Sequence, residues 1–261
     1  MEIQKVNLIY FSATNTTKQV LLAIAKGVGC NAIQAYDITL GQEGEIEFEE
    51  DELVIFGFPV YAGRIPQLSV PVLNQFKGKN TPAIIVCVYG NRDYDDALLE
   101  LRNLVSANQF MILSAGVFIG QHSIFPKTGA NRPDQSDLSK AQHFGEESMM
   151  KLKEQMDLSD LPEIKVKGNF PYKEANPIPL IPSGNRKCTV CGKCVRNCPT
   201  QAISLDNPRK TDKTRCISCG RCIYVCPENS RQFRGVLYSM AEQKFNRTYA
   251  ERKEPELFYS F

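Results

Sequence analysis

Nearly unbroken apolar runs punctuate the first 120 positions: 5–11 (KVNLIYF), 53–58 (LVIFGF), 83–89 (AIIVCVY) and 110–119, with a more polar run at 31–37. Short runs rich in β-branched and aromatic residues, bounded by turn residues, predict strands buried on both faces. Between them apolar positions recur at helical spacing over Lys18–Val28, after Asp96 to about Asn108, and over Ser136–Met156. Glu43–Glu52 is dense in carboxylates and predicts a solvated connection. Five β/α units in this length predict a doubly wound, five-stranded parallel sheet. Its ligand would lie beyond the carboxyl ends of the strands, at the topological switch point.

The pattern then changes. Residues 161–184 hold five prolines and no helical period, which predicts a semi-rigid extended connector. Domains are therefore expected at 1–160 and 185–235, joined by 161–184 and followed by a tail, 236–261. In the tail, Arg234–Arg252 reads as a helix with Leu237, Tyr238, Ala241, Phe245 and Tyr249 on its apolar stripe. The aromatic terminus Leu257–Phe261 is expected to dock onto the chain or onto a dimer mate.

The composition is that of a globular protein, 43% hydrophobic and 23% charged. No apolar run approaches the roughly 20 residues of a membrane span. The N-terminus enters a strand without a leader pattern, so a cytoplasmic protein is expected. The net charge of +2 hides an asymmetry. Residues 1–182 carry 16 Lys and Arg against 22 Asp and Glu, whereas residues 183–235 carry 11 against 3. Such a basic segment raises nucleic-acid binding, but the cysteines within it give the charge another use.

Those cysteines form two runs 28 residues apart: Cys188, Cys191, Cys194, Cys198 with Pro199, and Cys216, Cys219, Cys222, Cys226 with Pro227. Two-residue gaps let one tight loop turn three sulfurs toward a common centre, helped by Gly192 and Gly220. Paired zinc sites and a disulfide framework are the competing readings. The run C-x-x-C-x-x-C-x-x-x-C-P resembles the bacterial two-cluster ferredoxins. That resemblance implies one 4Fe-4S cluster on Cys188, Cys191, Cys194 and Cys226, and another on Cys216, Cys219, Cys222 and Cys198. Each oxidised cluster with its thiolates carries about −2, so part of the basic excess is charge compensation and no nucleic-acid partner is expected. Cys30 and Cys87 are expected to be small core residues.

The first strand runs into Ser12, Ala13, Thr14, Asn15, Thr16 and Thr17 and then a helix. A hydroxyl-rich loop at a helix N-terminus suits a phosphate; simple N-capping by Thr14 or Asn15 is the alternative. The spacing resembles the flavodoxin phosphate loop, with Asn15 where that family usually has Gly. Residues 1–155 are similar to a short-chain flavodoxin, whose strand order is 2-1-3-4-5, and the whole chain is similar to flavodoxin–ferredoxin fusion proteins of anaerobes, including FPVYAGRIP and YGNRDYDDAL.

What the resemblance implies is FMN. Its phosphate would sit in Ser12–Thr17 and its isoalloxazine between Pro59, Val60, Tyr61, Ala62 and Gly63 and the loop Tyr89, Gly90, Asn91, Arg92, Tyr94 and Asp95. Tyr61 and Tyr94 are candidate stacking rings, Gly63 and Gly90 candidate sites of backbone approach, and Asn91 and Arg92 face the pyrimidine edge or cap the next helix. The long loop 120–134, with His122 and Arg132, is a spacer toward the cysteine module or a substrate lid. The expected function is electron transfer between two 4Fe-4S clusters and FMN, serving redox partner proteins or a small-molecule acceptor. A flavin-dependent reductase of a small oxidised substrate is the alternative.

Overall fold

A computed structural model describes residues 2–154, 161–176 and 178–260. The first domain contains β1 (Lys5–Tyr10), α1 (Thr16–Val28), β2 (Ile33–Asp37), β3 (Ile46–Phe48), β4 (Glu52–Pro59), α2 (Val70–Leu73), β5 (Phe76–Gly78), β6 (Thr81–Tyr89), α3 (Ala97–Ala107), β7 (Phe110–Ile119) and α4 (Gln135–Glu154). The expected end of the last helix, at Met156, lies outside the described residues. The second part holds β8 (Ser183–Gly184), α5 (Lys193–Arg196), α6 (Arg221–Tyr224), β9 (Arg231–Gln232), α7 (Val236–Thr248) and β10 (Glu256–Tyr259).

The main sheet has the order β2-β1-β4-β6-β7-β10. All pairs from β2 to β7 are parallel, and the chain crosses over at β1, which is the flavodoxin order 2-1-3-4-5. The sheet separates two apolar layers. Val6, Leu8, Ile55, Ile84 and Val86 pack on one side with Val20, Leu21 and Ile24 of α1 and Phe144 of α4. Ile9, Phe56, Phe58 and Ile85 pack on the other with Leu98, Leu101 and Val105 of α3. The helices α1 and α4 touch backbone to backbone: a Cβ on Gly27 would lie 1.9 Å from the Gln142 carbonyl, and one on Gly145 2.2 Å from that of Ile24.

Three features depart from the pattern-based expectation. The sheet has a sixth strand, because the terminal Glu256–Tyr259 pairs antiparallel with β7 and covers an otherwise open edge. The terminal aromatics thus dock onto their own chain, with Tyr259 packed on Phe144; Phe261 lies outside the described residues. Second, the acidic stretch 43–52 contains β3, which pairs with β5 and buries Phe48. Third, the proline-rich connector packs on the first domain. Asp96 accepts hydrogen bonds from the backbone of Asn169 and Lys173, both 2.8 Å, and Ile164 enters the core.

The tail helix α7 is shorter than Arg234–Arg252. Tyr238, Ala241 and Phe245 pack on Ile124, Phe125 and Phe233, whereas Leu237 is exposed. Cys87 is a core residue as expected; Cys30 is half-buried, its thiol directed at the Gln4 carbonyl. Among the described residues no helix is long and apolar enough to cross a membrane.

Candidate functional site

The two cysteine runs fold as a repeat. Val190 and Ser218, Gly192 and Gly220, and Gln201 and Asn229 have φ of 58° and 55°, 73° and 76°, and 51° and 47°. Each pair is separated by the 28-residue repeat, so both runs trace the same turns. Gly192 and Gly220 start α5 and α6 from left-handed conformations, a geometry that carries little cost without a Cβ. The next turn directs amides at the fourth sulfur: Ala202 N–H donates to Cys198 Sγ at 3.2 Å and Ser230 N–H to Cys226 Sγ at 3.3 Å.

The sulfurs gather crosswise. One small cavity is lined by Cys188, Cys191, Cys194 and Cys226, and a second by Cys198, Cys216, Cys219 and Cys222. Each draws three cysteines from one run and the fourth from the other, the pattern expected of paired cubanes. Among the described residues no three His, Cys, Asp or Glu side chains converge tightly enough to hold a metal ion directly; a cubane keeps its thiolates further apart than one ion does. Burial pushes the Cys219 thiol up to about 12 and the Cys222 thiol to about 11. Thiolates in such a place need a metal's positive charge to stay deprotonated. The residues fit a 4Fe-4S group.

Above the carboxyl ends of β1, β4 and β6 lies a cavity of about 290 Å³ that adjoins one of about 440 Å³. Ala13, Thr14, Thr16 and Thr17 form its floor; Pro59 to Gly63 and Tyr89, Gly90 and Arg92 form its sides. Asn15 caps α1 at φ 70°, the left-handed position at which the resembling family has Gly. The Thr17 hydroxyl is buried without a partner, an unused donor where the loop would meet an anion. Ser12 and Asn15 do not line the cavity. Ser12 braces the loop, accepting from Lys18 N–H at 3.2 Å while its own N–H donates to Thr39 Oγ1 at 2.8 Å.

Tyr61 sits in a tight turn closed by reciprocal backbone bonds with Arg64, over Ala62 and Gly63 at φ 52° and 86°. A buried carboxylate fixes this turn: Glu100 accepts from Arg64 Nε at 2.7 Å and Nη2 at 2.6 Å, and from Ile65 N–H at 3.2 Å. The Tyr61 ring meets Phe11 edge-on, and burial beside Cys219 pushes its phenol well above the ordinary range. A Cβ on Gly90 would lie 2.5 Å from His122 Cδ2, so close approach by the imidazole requires glycine there.

Three residues expected around the flavin are turned elsewhere. Tyr94 is buried, with its ring on Tyr89 and its hydroxyl donating to Glu256 Oε2 at 2.7 Å, so it cannot stack on a ligand in the cavity. Asn91 donates to the carbonyls of Tyr249 at 2.9 Å and Glu251 at 2.8 Å, tying down the tail. Asp95 pairs with Arg92 and Lys173 instead of lining the cavity.

Other residues complete the walls. From loop 120–134 come Gln121, His122, Ser123, Ile124 and Phe125; from the connector Ile178 and Leu180; from α7 Phe245. His122 Nδ1 accepts from the N–H groups of Ile124 and Phe125, at 3.2 and 3.1 Å, so the neutral ring carries its proton on Nε2. Burial, with Arg92 nearby, lowers its pKa to about 4. Arg132 lies away from the cavity, in a buried pair with Asp137. Ile217 and Ser218, between two cysteines of the second cage, also line the cavity. The loop of that cage is therefore a wall of this cavity.

Residues 187–230 match the 4Fe-4S dicluster domain family. No match was found among curated protein sequences. Among solved structures, a flavodoxin from the domain Archaea is 14% identical over 57% of this chain and 99% of its own, with a TM-score of 0.40. A Fusobacterium nucleatum flavodoxin bound to flavin mononucleotide is 12% identical over 58% and 98%, TM-score 0.40. A Streptococcus pneumonia TIGR4 flavodoxin is 12% identical over 56% and 98%, TM-score 0.41. The flavodoxin-like assignment of the first domain rests on its strand order. The chain thus joins a flavodoxin-like sheet to a 4Fe-4S dicluster domain.

Proposed function

We propose that this protein carries electrons between two 4Fe-4S clusters and one FMN held in a single chain. When bound, the clusters supply single-electron exchange and the flavin supplies one- or two-electron chemistry. The observation that carries the reading is the shared wall: Ile217 and Ser218 belong both to the loop of Cys216 and Cys219 and to the cavity beside Tyr61. Cys219 enters the apolar core that contains Phe11 and Phe58, with Tyr61 packed against it. With both groups bound, that apolar layer would keep water from the space between them.

The residues divide the work. Ala13, Thr14, Thr16 and Thr17 would hold the FMN phosphate, and the 59–63 loop with Tyr89, Gly90 and Arg92 the ring, with Tyr61 as its aromatic neighbour. The cage of Cys188, Cys191, Cys194 and Cys226 forms the outer terminus, because Cys191 is exposed. Exposed Arg186, Lys187, Lys193, Arg196 and Arg209 surround it, which suits an acidic redox partner protein at that end.

Iron and flavin analysis of anaerobically prepared protein tests this. About eight iron atoms and one FMN per chain, with both chromophores bleaching in a reductive titration, is the expected result; iron without flavin would overturn it. A second reading, an FMN-dependent reductase, draws on the adjoining 440 Å³ cavity and the Nε2 proton of His122. It requires that His122→Ala abolish turnover of an added acceptor while leaving flavin reduction intact.

A further inference from the structure

The second domain buries an arginine with no carboxylate. Arg231 is 1% exposed. Its guanidinium donates to the carbonyls of Pro208 and Pro182, the latter at 3.0 Å, and to Thr211 Oγ1, while Nε has no acceptor. Among the described residues no Asp or Glu pairs with it. A buried charge whose hydrogen bonds go to two carbonyls and a hydroxyl keeps a desolvation cost of several kcal/mol, and the groups that could offset it as anions are the cage cysteines around it, Cys222 the nearest in interaction.

The acceptors show where those cysteines lie. Pro208 lines the cage of Cys188, Cys191, Cys194 and Cys226, and its carbonyl also faces Cys194 Sγ at 4.0 Å. Pro182 and Thr211 line the cage of Cys198, Cys216, Cys219 and Cys222. The guanidinium therefore bridges the walls of both cages, and its field reaches Cys194 on one side and Cys216 and Cys222 on the other.

We propose that Arg231 is a shared counter-cation for both clusters, a positioning residue that raises both reduction potentials by stabilising the added negative charge of the reduced state. The inference rests on the two-cluster reading above. It assigns the planar, permanently charged guanidinium a task that a neutral side chain of similar size could not perform.

The test uses full-length reconstituted protein: wild type, Arg231→Lys and Arg231→Met, with iron analysis and redox-poised EPR. In Arg231→Met both midpoints are expected to fall so that the ratio of reduced to oxidised cluster at a fixed potential drops at least tenfold, 59 mV for a one-electron couple. Arg231→Lys is expected to lie between the two. Unshifted midpoints in an iron-replete Arg231→Met protein would overturn the proposal. If Arg231→Met fails to hold iron, iron retained by Arg231→Lys supports the charge requirement, and iron lost from both overturns it. Wild type without iron would overturn the two-cluster reading and this proposal together.

Discussion

The guanidinium of Arg221 donates through Nη1 to the carbonyl of Ser12, 3.2 Å away and 209 residues earlier in the chain. It also reaches the Ala13 carbonyl at 3.4 Å. Arg221 stands between Cys219 and Cys222, so one side chain joins the second cage to the loop read as the phosphate site. Polarising those carbonyls makes the loop's N–H groups better donors to an anion.

Replacing Arg221 by Ala is expected to weaken FMN binding about ten- to a hundredfold, the equivalent of losing a charge-assisted hydrogen bond. Riboflavin, which has no phosphate, should bind with little change, and iron content should hold. Fluorescence titration with both flavins reads the difference, and equal losses for the two would contradict the loop-specific role.

The crossed cysteine sets make a prediction that adjacency in sequence would reverse. Cys198→Ala should disturb the cage containing Cys216, Cys219 and Cys222, and Cys226→Ala the one containing Cys188, Cys191 and Cys194. Because Arg221 and Tyr61 lie against the second cage, electron delivery to flavin should slow far more in Cys198→Ala. EPR and iron analysis on both variants identify which cluster remains.

Much of this arrangement was legible in the sequence, and the misses share a cause. The cysteines that line the two cages were readable because the repeat carries its spacing locally, and the parallel strands because burial on both faces writes an unbroken apolar run. Tyr94 sits in a loop whose sequence suits a flavin neighbour, but the partner that turns it away, Glu256, lies 162 residues along the chain. The same tail captures Asn91 and supplies the sixth strand. The strand at Ile46–Phe48 did leave a signal, the alternation Glu45-Ile46-Glu47-Phe48-Glu49, but the charge density around it suggested a solvated loop. Nothing local marks Phe245 or Ile178 as cavity residues.

His122 should write itself into the pH dependence of stability. Its folded pKa, about 4, lies below the ordinary value of 6.5, so the unfolded chain binds the proton first. The stability tied to the neutral ring is fully present above pH 6.5 and is lost as pH falls toward 4, up to about 3 kcal/mol in all. Urea denaturation of wild type and His122→Phe across this range should show a slope in the wild type that the variant lacks. Parallel profiles would show that His122 does not carry the pH dependence.

The buried pair of Arg132 and Asp137 anchors the tail, because Arg132 also donates to the Lys253 carbonyl at 2.6 Å. Asp137→Asn leaves that guanidinium without its charge partner and should destabilise the fold by about 3–5 kcal/mol. A smaller midpoint shift in denaturant than about 1 kcal/mol would mean that water reaches Arg132 and compensates.

Electron transfer within one chain is tested by the rate at which flavin is reduced inside the loaded protein. Anaerobic stopped-flow mixing with a limiting one-electron reductant that acts at the exposed Cys191 end would follow the flavin absorbance as cluster absorbance recovers. Transfer within one chain gives a first-order rate that does not change when protein concentration is raised tenfold. A rate that rises in proportion to concentration would show that electrons pass between molecules, and the shared wall at Ile217 and Ser218 would not be the route.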